Sequence, residues 1–382
     1  MVEFRLSAEH RGFVDWARAA ATERLAPLAR HDGRVNRPLL RAMGDAGLVR
    51  AAFGGTGDQP RDAAALQLCL LRETLAQVSA EAETALALQG LGSYPILQSG
   101  RPECAARWIP RVVSGEAVAA FALSEPDAGS DAAALKLRAE RDGPGWRLTG
   151  EKMWISNAPD ADVYSVFART TPDARAKGVT AFAVPGDAAG LSGEPLDMLS
   201  PHPIGRLVFD GVCVGPEALL GEVDGGFAVA MRTLDLFRPS VGAFAVGMAQ
   251  SALDATVAYV RTREVHGGPL ARQQAVAHRV ADLATELEAA RLLVYAAAAA
   301  YDAGDQPRDQ RRRSAMAKLF ATEAAQRIVD GCVQLHGAVA LRGGHLLEQL
   351  YRDVRSLRIY EGASEIQRTI IARDLIDLDA NG

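Results

Sequence analysis

The feature that most constrains the fold of this chain is a change of texture near Gly115 and its reversal near Gly226. Up to Gly115, apolar residues recur at helical spacing. Phe13, Val14, Ala17, Ala21 and Leu25 share one helical face, and Ser7 stands where an N-cap belongs. Pro27 ends or kinks that helix. Asn36 and Pro38 open a second, with Gly47 near its end. Asp62 to Gln77, Ala82 to Ile96 and Cys104 to Val113 read as further helices. From Val118 to Val214 the chain is cut by Gly, Pro, Asp and Asn into short apolar runs. Strands are expected at Val118 to Leu123, Gly145 to Thr149, Lys152 to Ser156, Val163 to Ala168, Val179 to Val184 and Arg206 to Val214. The run Asp142-Gly-Pro-Gly145 is a turn signal. Helical texture then returns at Phe227 to Arg263, Ala271 to Ala303, Arg311 to Leu335, Leu346 to Ser356 and Ser364 to Leu378. The alanine tracts there are intrinsic helix formers and need no functional reading. The pattern predicts an α+β multidomain chain. Its parts are an N-terminal helical domain (1–116), a middle antiparallel β domain (117–225) and a C-terminal four-helix bundle (226–382).

Composition removes several function classes. The net charge of −5 gives no basic field for nucleic acid. The cysteines Cys69, Cys104, Cys213 and Cys332 are far apart and form no CxxC pair, so reduced thiols in a cytoplasmic protein are expected, without a metal site. The histidines show no HExxH spacing. No run approaches the roughly 18 apolar residues of a membrane span. Glu3, Glu9 and Asp15 interrupt the N-terminal segment, so no signal peptide is read there. There is no Walker A loop, no GxGxxG between strand and helix, and no GxSxG elbow. Gly54-Gly-Thr-Gly57 reads as a flexible loop.

Three clusters remain. Phe121-Ala-Leu-Ser-Glu-Pro-Asp-Ala-Gly-Ser-Asp131 follows a strand and offers backbone N–H groups and the hydroxyls of Ser124 and Ser130, which suit a phosphate or heterocycle. A polar turn closing a strand has the same composition. In Gly150-Glu-Lys-Met-Trp-Ile-Ser-Asn157, Trp154 could stack on a planar cofactor with Ser156 on the same side of the strand. A half-buried hairpin tryptophan accounts for the segment equally well. In Leu357-Arg-Ile-Tyr-Glu-Gly-Ala-Ser-Glu-Ile-Gln-Arg368, Glu361 precedes a helix for which Ser364 is the expected N-cap. Such a carboxylate either reaches into a cleft with a raised pKa or serves the helix N-terminus.

Taken together and in this order, the clusters resemble the acyl-CoA dehydrogenase family, over nearly the whole chain. The family's A-x-[ST]-E-P-x-A-G-S-D loop is matched at Ala122 to Asp131, G-x-K-x-W-I-[ST]-N at Gly150 to Asn157, and R-D-x-R-x-x-x-I-Y-E-G at Arg352 to Gly362, followed by S-E-I-Q-R at Ser364 to Arg368. The resemblance implies FAD. It sets Ser124 beside the flavin pyrimidine ring, Ser130 near the phosphates and the thioester, Trp154 against the flavin and Ser156 at flavin N5, with Leu123 and Gly129 also on cofactor-binding positions. Arg263, His266 and Gln274 match a pattern that reaches the FAD of a neighbouring subunit. Gln334 and Ala338 match a Q-x-x-G-G segment touching FAD, and Ala363 and Glu365 lie beside the cofactor. The resemblance therefore also implies a homo-oligomer, a tetramer or a dimer, and an electron-transferring flavoprotein as acceptor. Glu361 falls on the usual catalytic base. Ser130, Glu83, Thr84, Asp235, Arg238, Tyr360 and Gly362 fall on substrate positions. Glu83, Thr84 and Ala87 lie on the helix that lines the acyl pocket, although the simpler reading points Glu83 at solvent.

The implied reaction is α,β-dehydrogenation of an acyl thioester. Glu361 takes the α-proton, its own N–H and a ribityl hydroxyl hold the carbonyl oxygen, and flavin N5 takes hydride. Where some branches of the family carry the base on an earlier helix, this chain has Phe237. His266 stands for a phenylalanine, Ala338 for a glycine and Ala363 for a threonine. Leu199-Ser-Pro-His-Pro-Ile-Gly205 replaces a G-x-R-x-S-D-T stretch near the coenzyme A end of the channel. That replacement, Glu83 and the basic run Arg311-Arg-Arg313 suggest a small polar, branched or cyclic acyl group, carried on coenzyme A or on a carrier protein. An oxidase or a flavin monooxygenase on the same fold, and a flavin-binding protein without turnover, are the rival readings.

Overall fold

The computed structural model describes residues 6–53 and 64–376. The loop expected at Gly54 to Gly57, the first turn expected from Asp62 and the last residues expected of the final helix lie outside them. The order of elements is α, then β, then α. Among the described residues the first helices are α1 (Ala8–Ala20), α2 (Arg37–Asp45), α3 (Leu48–Ala52), α4 (Ala65–Val78), α5 (Ala80–Ser99) and α6 (Pro102–Val113). The strands β1 (Ala119–Ala122), β2 (Arg138–Asp142), β3 (Gly145–Ser156), β4 (Val163–Arg169), β5 (Val179–Pro185), β6 (Leu191–Pro195), β7 (Ile204–Val214) and β8 (Leu219–Leu220) follow. Then come α7 (Gly226–Thr262), a small hairpin β9 (Glu264–Val265) and β10 (Gly268–Pro269), α8 (Gln274–Asp302), α9 (Pro307–His336), α10 (Leu346–Leu357) and α11 (Ser364–Leu375).

In space the chain forms two compact units, each drawn from separated stretches. One comprises Met1–Thr22, Ala64–Glu83 and Asp235–Gly382; the other comprises Glu23–Ala63 and Thr84–Leu234. Helices α5 and α7 contribute to both.

The second unit holds the sheet, in the order β6-β7-β3-β2-β4-β5-β8, with β1 beside β4. Most pairings are antiparallel, as expected, but β1 and β2 both run parallel to β4. Strand β4 is buried along six of its seven residues and β5 likewise, so both are mostly apolar on both faces, with Ser165 and Thr180 as buried polar residues. Helix α5 is tied to the sheet by Gln89, whose Nε2 donates to Ala117 O at 2.8 Å and whose Oε1 accepts from Ala119 N at 2.8 Å. Helix α2 begins at Asn36, whose side chain accepts from Leu39 N at 3.1 Å.

The first unit is helical. Ser7 caps α1 by accepting from His10 N at 3.1 Å. Helix α4 has no cap of its own; Asp302, at the end of α8, accepts from Ala65 N at 2.6 Å and Leu66 N at 3.0 Å, which satisfies two orphan donors and opposes the helix dipole. Helices α7 and α4 approach closely at Gly247, where an added Cβ would stand 2.4 Å from Glu73 O. Glu73 is buried and accepts from Arg291 Nε at 2.9 Å and Tyr295 Oη at 2.7 Å. Helix α7 is long and apolar enough to cross a membrane by length and composition, which the sequence reading did not anticipate. Its most apolar window is 67% buried within the protein, as in a core helix.

Candidate active site

In the second unit the Ser124 loop and the Trp154 strand form one assembly. Met153 N donates to Ser124 O at 3.0 Å. Beneath them lies a buried ion pair. Lys152 Nζ donates to Glu125 Oε1 at 2.9 Å and to Leu123 O at 2.8 Å. Glu125 also accepts from Leu137 N at 2.9 Å and Lys136 N at 2.5 Å. Desolvation, opposed by Glu125, pushes the Lys152 ammonium down to about 8. Sequence reasoning quoted both residues within its motifs and gave neither a role. Their role is to hold the two segments in register, since a buried charge persists only when paired.

The pairing of β3 with β7 shifts register between Lys152 and Ile155, and Trp154 has a φ of 62°. This bulge interrupts the simple alternation assumed for Trp154 and Ser156. Ile155 is buried, whereas Trp154 is 52% exposed and Ser156 is partly buried. Leu123 is buried, Ser124 partly so, and Gly129 and Ser130 are exposed on the loop that follows. Nothing lies within 4 Å of a Cβ added at Gly129. An exposed indole on a rigid bulge, next to partly buried hydroxyls and open loop backbone, is a surface that suits a planar heterocycle with a phosphate tail. Thr84, in the same unit, is partly buried.

In the first unit the turn between α10 and α11 carries Tyr360, Glu361 and Gly362. Glu361 has a φ of 50° and Gly362 of 95°. The backbone at Gly362 is one that glycine favours, and a Cβ there would stand 2.4 Å from Gln367 Nε2, which would have to move. The turn is braced from inside: Gly362 O accepts from Lys318 Nζ at 2.7 Å and from Gln367 Nε2 at 2.9 Å. Ser364 does not cap α11 as expected. Ala363 holds the cap position, and the Ser364 hydroxyl donates to Glu323 Oε1 on α9 at 2.7 Å.

Glu361 is partly exposed, yet its Oε2 is fully buried and has no hydrogen-bond partner among the described residues. Nor does any of them accept from its backbone N–H. Desolvation raises the carboxyl above the usual glutamate range, opposed by Arg72, Lys318 and Arg238 in that order. Lys318 is itself pushed down to about 8 by burial, against the pull of Glu361. Arg238 pairs with Asp235 at 2.7 Å within α7, and Phe237 between them is buried. Burial and the charges of Glu83 and Glu361 push the Tyr360 phenol well up.

Glu83 does not face solvent. It is fully buried and ion-paired with the Arg72 guanidinium, which also donates to Ser240 Oγ at 2.6 Å. The charge on this helix is therefore neutralised from within the protein. The basic run on α9 is likewise largely committed: Arg312 pairs with Asp309 and Asp374, and Arg313 with Asp305. Arg263, His266, Gln274, Gln334 and Ala338 are all exposed; Ala363 is partly buried and Glu365 exposed. Among the described residues no group of three or more His, Cys, Asp or Glu is placed to hold a metal ion.

Comparison with known proteins identifies the family. The family descriptions for the N-terminal, middle and C-terminal domains of acyl-CoA dehydrogenase match residues 7–116, 120–212 and 224–376. The chain is 36% identical to cyclohexane-1-carbonyl-CoA dehydrogenase of Geobacter metallireducens, over 98% of this chain and 99% of that one. Butyryl-CoA dehydrogenase from Megasphaera elsdenii has the same fold, with a TM-score of 0.91 at 31% identity over 98% of this chain and all of that one. PigA, solved with FAD and proline, also superposes with a TM-score of 0.91, at 27% identity over 98% of this chain and 99% of that one. The chain belongs to the acyl-CoA dehydrogenase family, oxidoreductases acting on CH–CH groups.

Proposed function

We propose that this protein binds FAD and dehydrogenates an acyl-CoA thioester between Cα and Cβ, with Glu361 as the base. The observation that carries the reading is the state of Glu361. Its Oε2 is desolvated and without a hydrogen-bond partner among the described residues, so it can take a proton, and the raised pKa makes it a stronger base than an ordinary glutamate. Its unengaged backbone N–H is a donor for the thioester oxygen, where negative charge develops as the α-proton leaves. FAD, when bound, supplies the acceptor for the β-hydrogen as hydride. Trp154 and Ser156 would hold the ring, and the Ser124 to Ser130 loop its polar edge and phosphates.

Purified protein should be yellow, and heat should release FAD and not FMN. Without air, an acyl-CoA substrate should bleach the flavin. The names of the relatives favour a short or cyclic acyl group, so cyclohexane-1-carbonyl-CoA and butyryl-CoA should bleach faster than octanoyl-CoA. The same acyl groups on a carrier protein form the comparison arm, because the Leu199 to Gly205 segment lacks the family's polar residues. A yellow protein that no thioester bleaches would overturn the dehydrogenase reading. Peroxide formed at the rate of turnover in air would favour an oxidase over transfer to an electron-transferring flavoprotein.

The exposed Arg263, Gln274 and Gln334 fit residues that complete a neighbour's cofactor site, and closed symmetry is the default for such assemblies. Light scattering should give a tetramer or dimer. A monomer with full FAD content would remove that part of the proposal.

A further inference from the structure

Ser156 is already engaged within the protein. Its Oγ lies 2.8 Å from Nε2 of His202. His202 belongs to Leu199 to Gly205, the segment in which this chain departs from the family pattern. The sequence flagged the departure as a loss of polar groups; the structure shows that it brings a histidine onto the strand with the candidate flavin residues.

The placement is firm. Pro201 and Pro203 flank His202 and restrict the backbone. Asn157 N donates to Pro203 O at 2.7 Å, and Leu196 N donates to Ile204 O at 2.9 Å. Ile204 pairs with Ser156 in the β3–β7 ladder. On the other side Gly33, at a φ of 73°, packs against the segment, so that a Cβ there would stand 3.5 Å from His202 N. Desolvation pushes the imidazole down to about 4, so the ring is neutral near pH 7 and has one donor nitrogen and one acceptor nitrogen.

A neutral imidazole at this distance decides what Ser156 can offer. If Nε2 accepts, the hydroxyl proton is committed to His202, and Ser156 presents only lone pairs, which suit a flavin N5 that carries hydrogen. If Nε2–H donates, the hydroxyl proton is free for a bare N5. Either way one of the hydroxyl's hydrogen-bonding directions is taken up by His202, which limits what it can offer a neighbour.

We propose that His202 is a positioning residue that acts on the bound flavin through Ser156, fixing the orientation of that hydroxyl and thereby the reduction potential of the ring. The proposal rests on the FAD reading above. The test is the midpoint potential of bound FAD in wild type, His202→Phe, His202→Gln, Ser156→Ala and the double variant His202→Phe/Ser156→Ala.

His202→Phe keeps the bulk and removes the hydrogen bond. It should change the reduced-to-oxidised ratio at fixed potential by about tenfold, about 30 mV for a two-electron couple. A rise means that His202 donates to Ser156 and a fall that it accepts. His202→Gln, whose amide can do either, should restore most of the wild-type potential. In the Ser156→Ala background the His202→Phe effect should vanish, because contacting groups couple and independent ones add. His202→Asn serves in place of the phenylalanine variant if that one does not retain FAD. Potentials unchanged by His202→Phe, or shifted equally with and without Ser156, would overturn the proposal and leave the FAD reading intact. A wild-type protein that takes up no FAD would overturn both.

Discussion

Glu361→Gln should reduce the rate of anaerobic flavin bleaching by about a hundredfold or more, the lower end for loss of general-base catalysis, with FAD content unchanged. Glutamine keeps the shape and cannot take a proton. The turn that carries it is held by Lys318 and Gln367 through the Gly362 carbonyl, and those bonds do not involve the carboxylate. The folded protein should not suffer. A carboxyl whose pKa is raised on folding binds its proton more tightly in the folded state. Its ionisation therefore costs stability as pH rises through the ordinary and then the raised pKa. At neutral pH the glutamine variant escapes that cost and should melt at the wild-type temperature or slightly above it. The wild-type rate should rise with pH along a limb whose midpoint lies above the usual glutamate range, and the variant should lack that limb. Near-normal bleaching by Glu361→Gln would place the base elsewhere. Phe237 is apolar and buried and offers no substitute.

Much of this architecture is legible in the sequence because it is written in local periodicity. The helical runs, the mostly apolar β4 and β5, and the caps Ser7 and Asn36 each depend on residues a few positions apart. What escaped depends on distant residues. Strands β2 and β6 read Arg-Ala-Glu-Arg-Asp and Leu-Ser-Gly-Glu-Pro, mostly exposed and without apolar alternation. They are strands because β3 and β7 offer ladder partners. Ser364 looks like a cap from its neighbours but has Glu323, 41 residues away, as its partner.

The site shows the same division. Its motifs identify Trp154, Ser156 and Glu361 as residues to watch, and the family assigns them a chemistry. Their immediate environments come from elsewhere in the fold. The bulge at Trp154 is a property of β3 against β7, Lys152 meets Glu125 across 27 residues, and Ser156 meets His202 across 46. Sequence reading named the candidate residues; the groups that surround them are set by sheet register and helix packing.

The Arg72–Glu83 pair gives the largest expected effect on stability. Both side chains are almost wholly buried, Arg72 on α4 and Glu83 on α5, 11 residues apart across the turn at Ser79. Glu83→Ala leaves a guanidinium in the interior with the Ser240 hydroxyl as its remaining hydrogen-bond acceptor among the described residues. Breaking such a pair from one side costs about 3–5 kcal/mol, because the surviving charge keeps its desolvation penalty. In a protein of this size that is a fall in Tm on the order of 10 °C. Replacing both residues together, as Arg72→Met with Glu83→Leu, should cost much less, since neither charge is then left behind. Arg72 also couples the pair to Glu361: it is the foremost of the three cations that favour the Glu361 carboxylate, and Glu83 offsets its charge. Glu83→Gln removes that offset. More net positive charge then faces Glu361, its pKa falls, and the rising limb of the pH–rate profile should move to lower pH. Arg72→Met should move it the other way. A Glu83→Ala protein that melts with wild type would show that the pair is not buried in solution, and limbs unmoved by both substitutions would show that Arg72 does not act on the base.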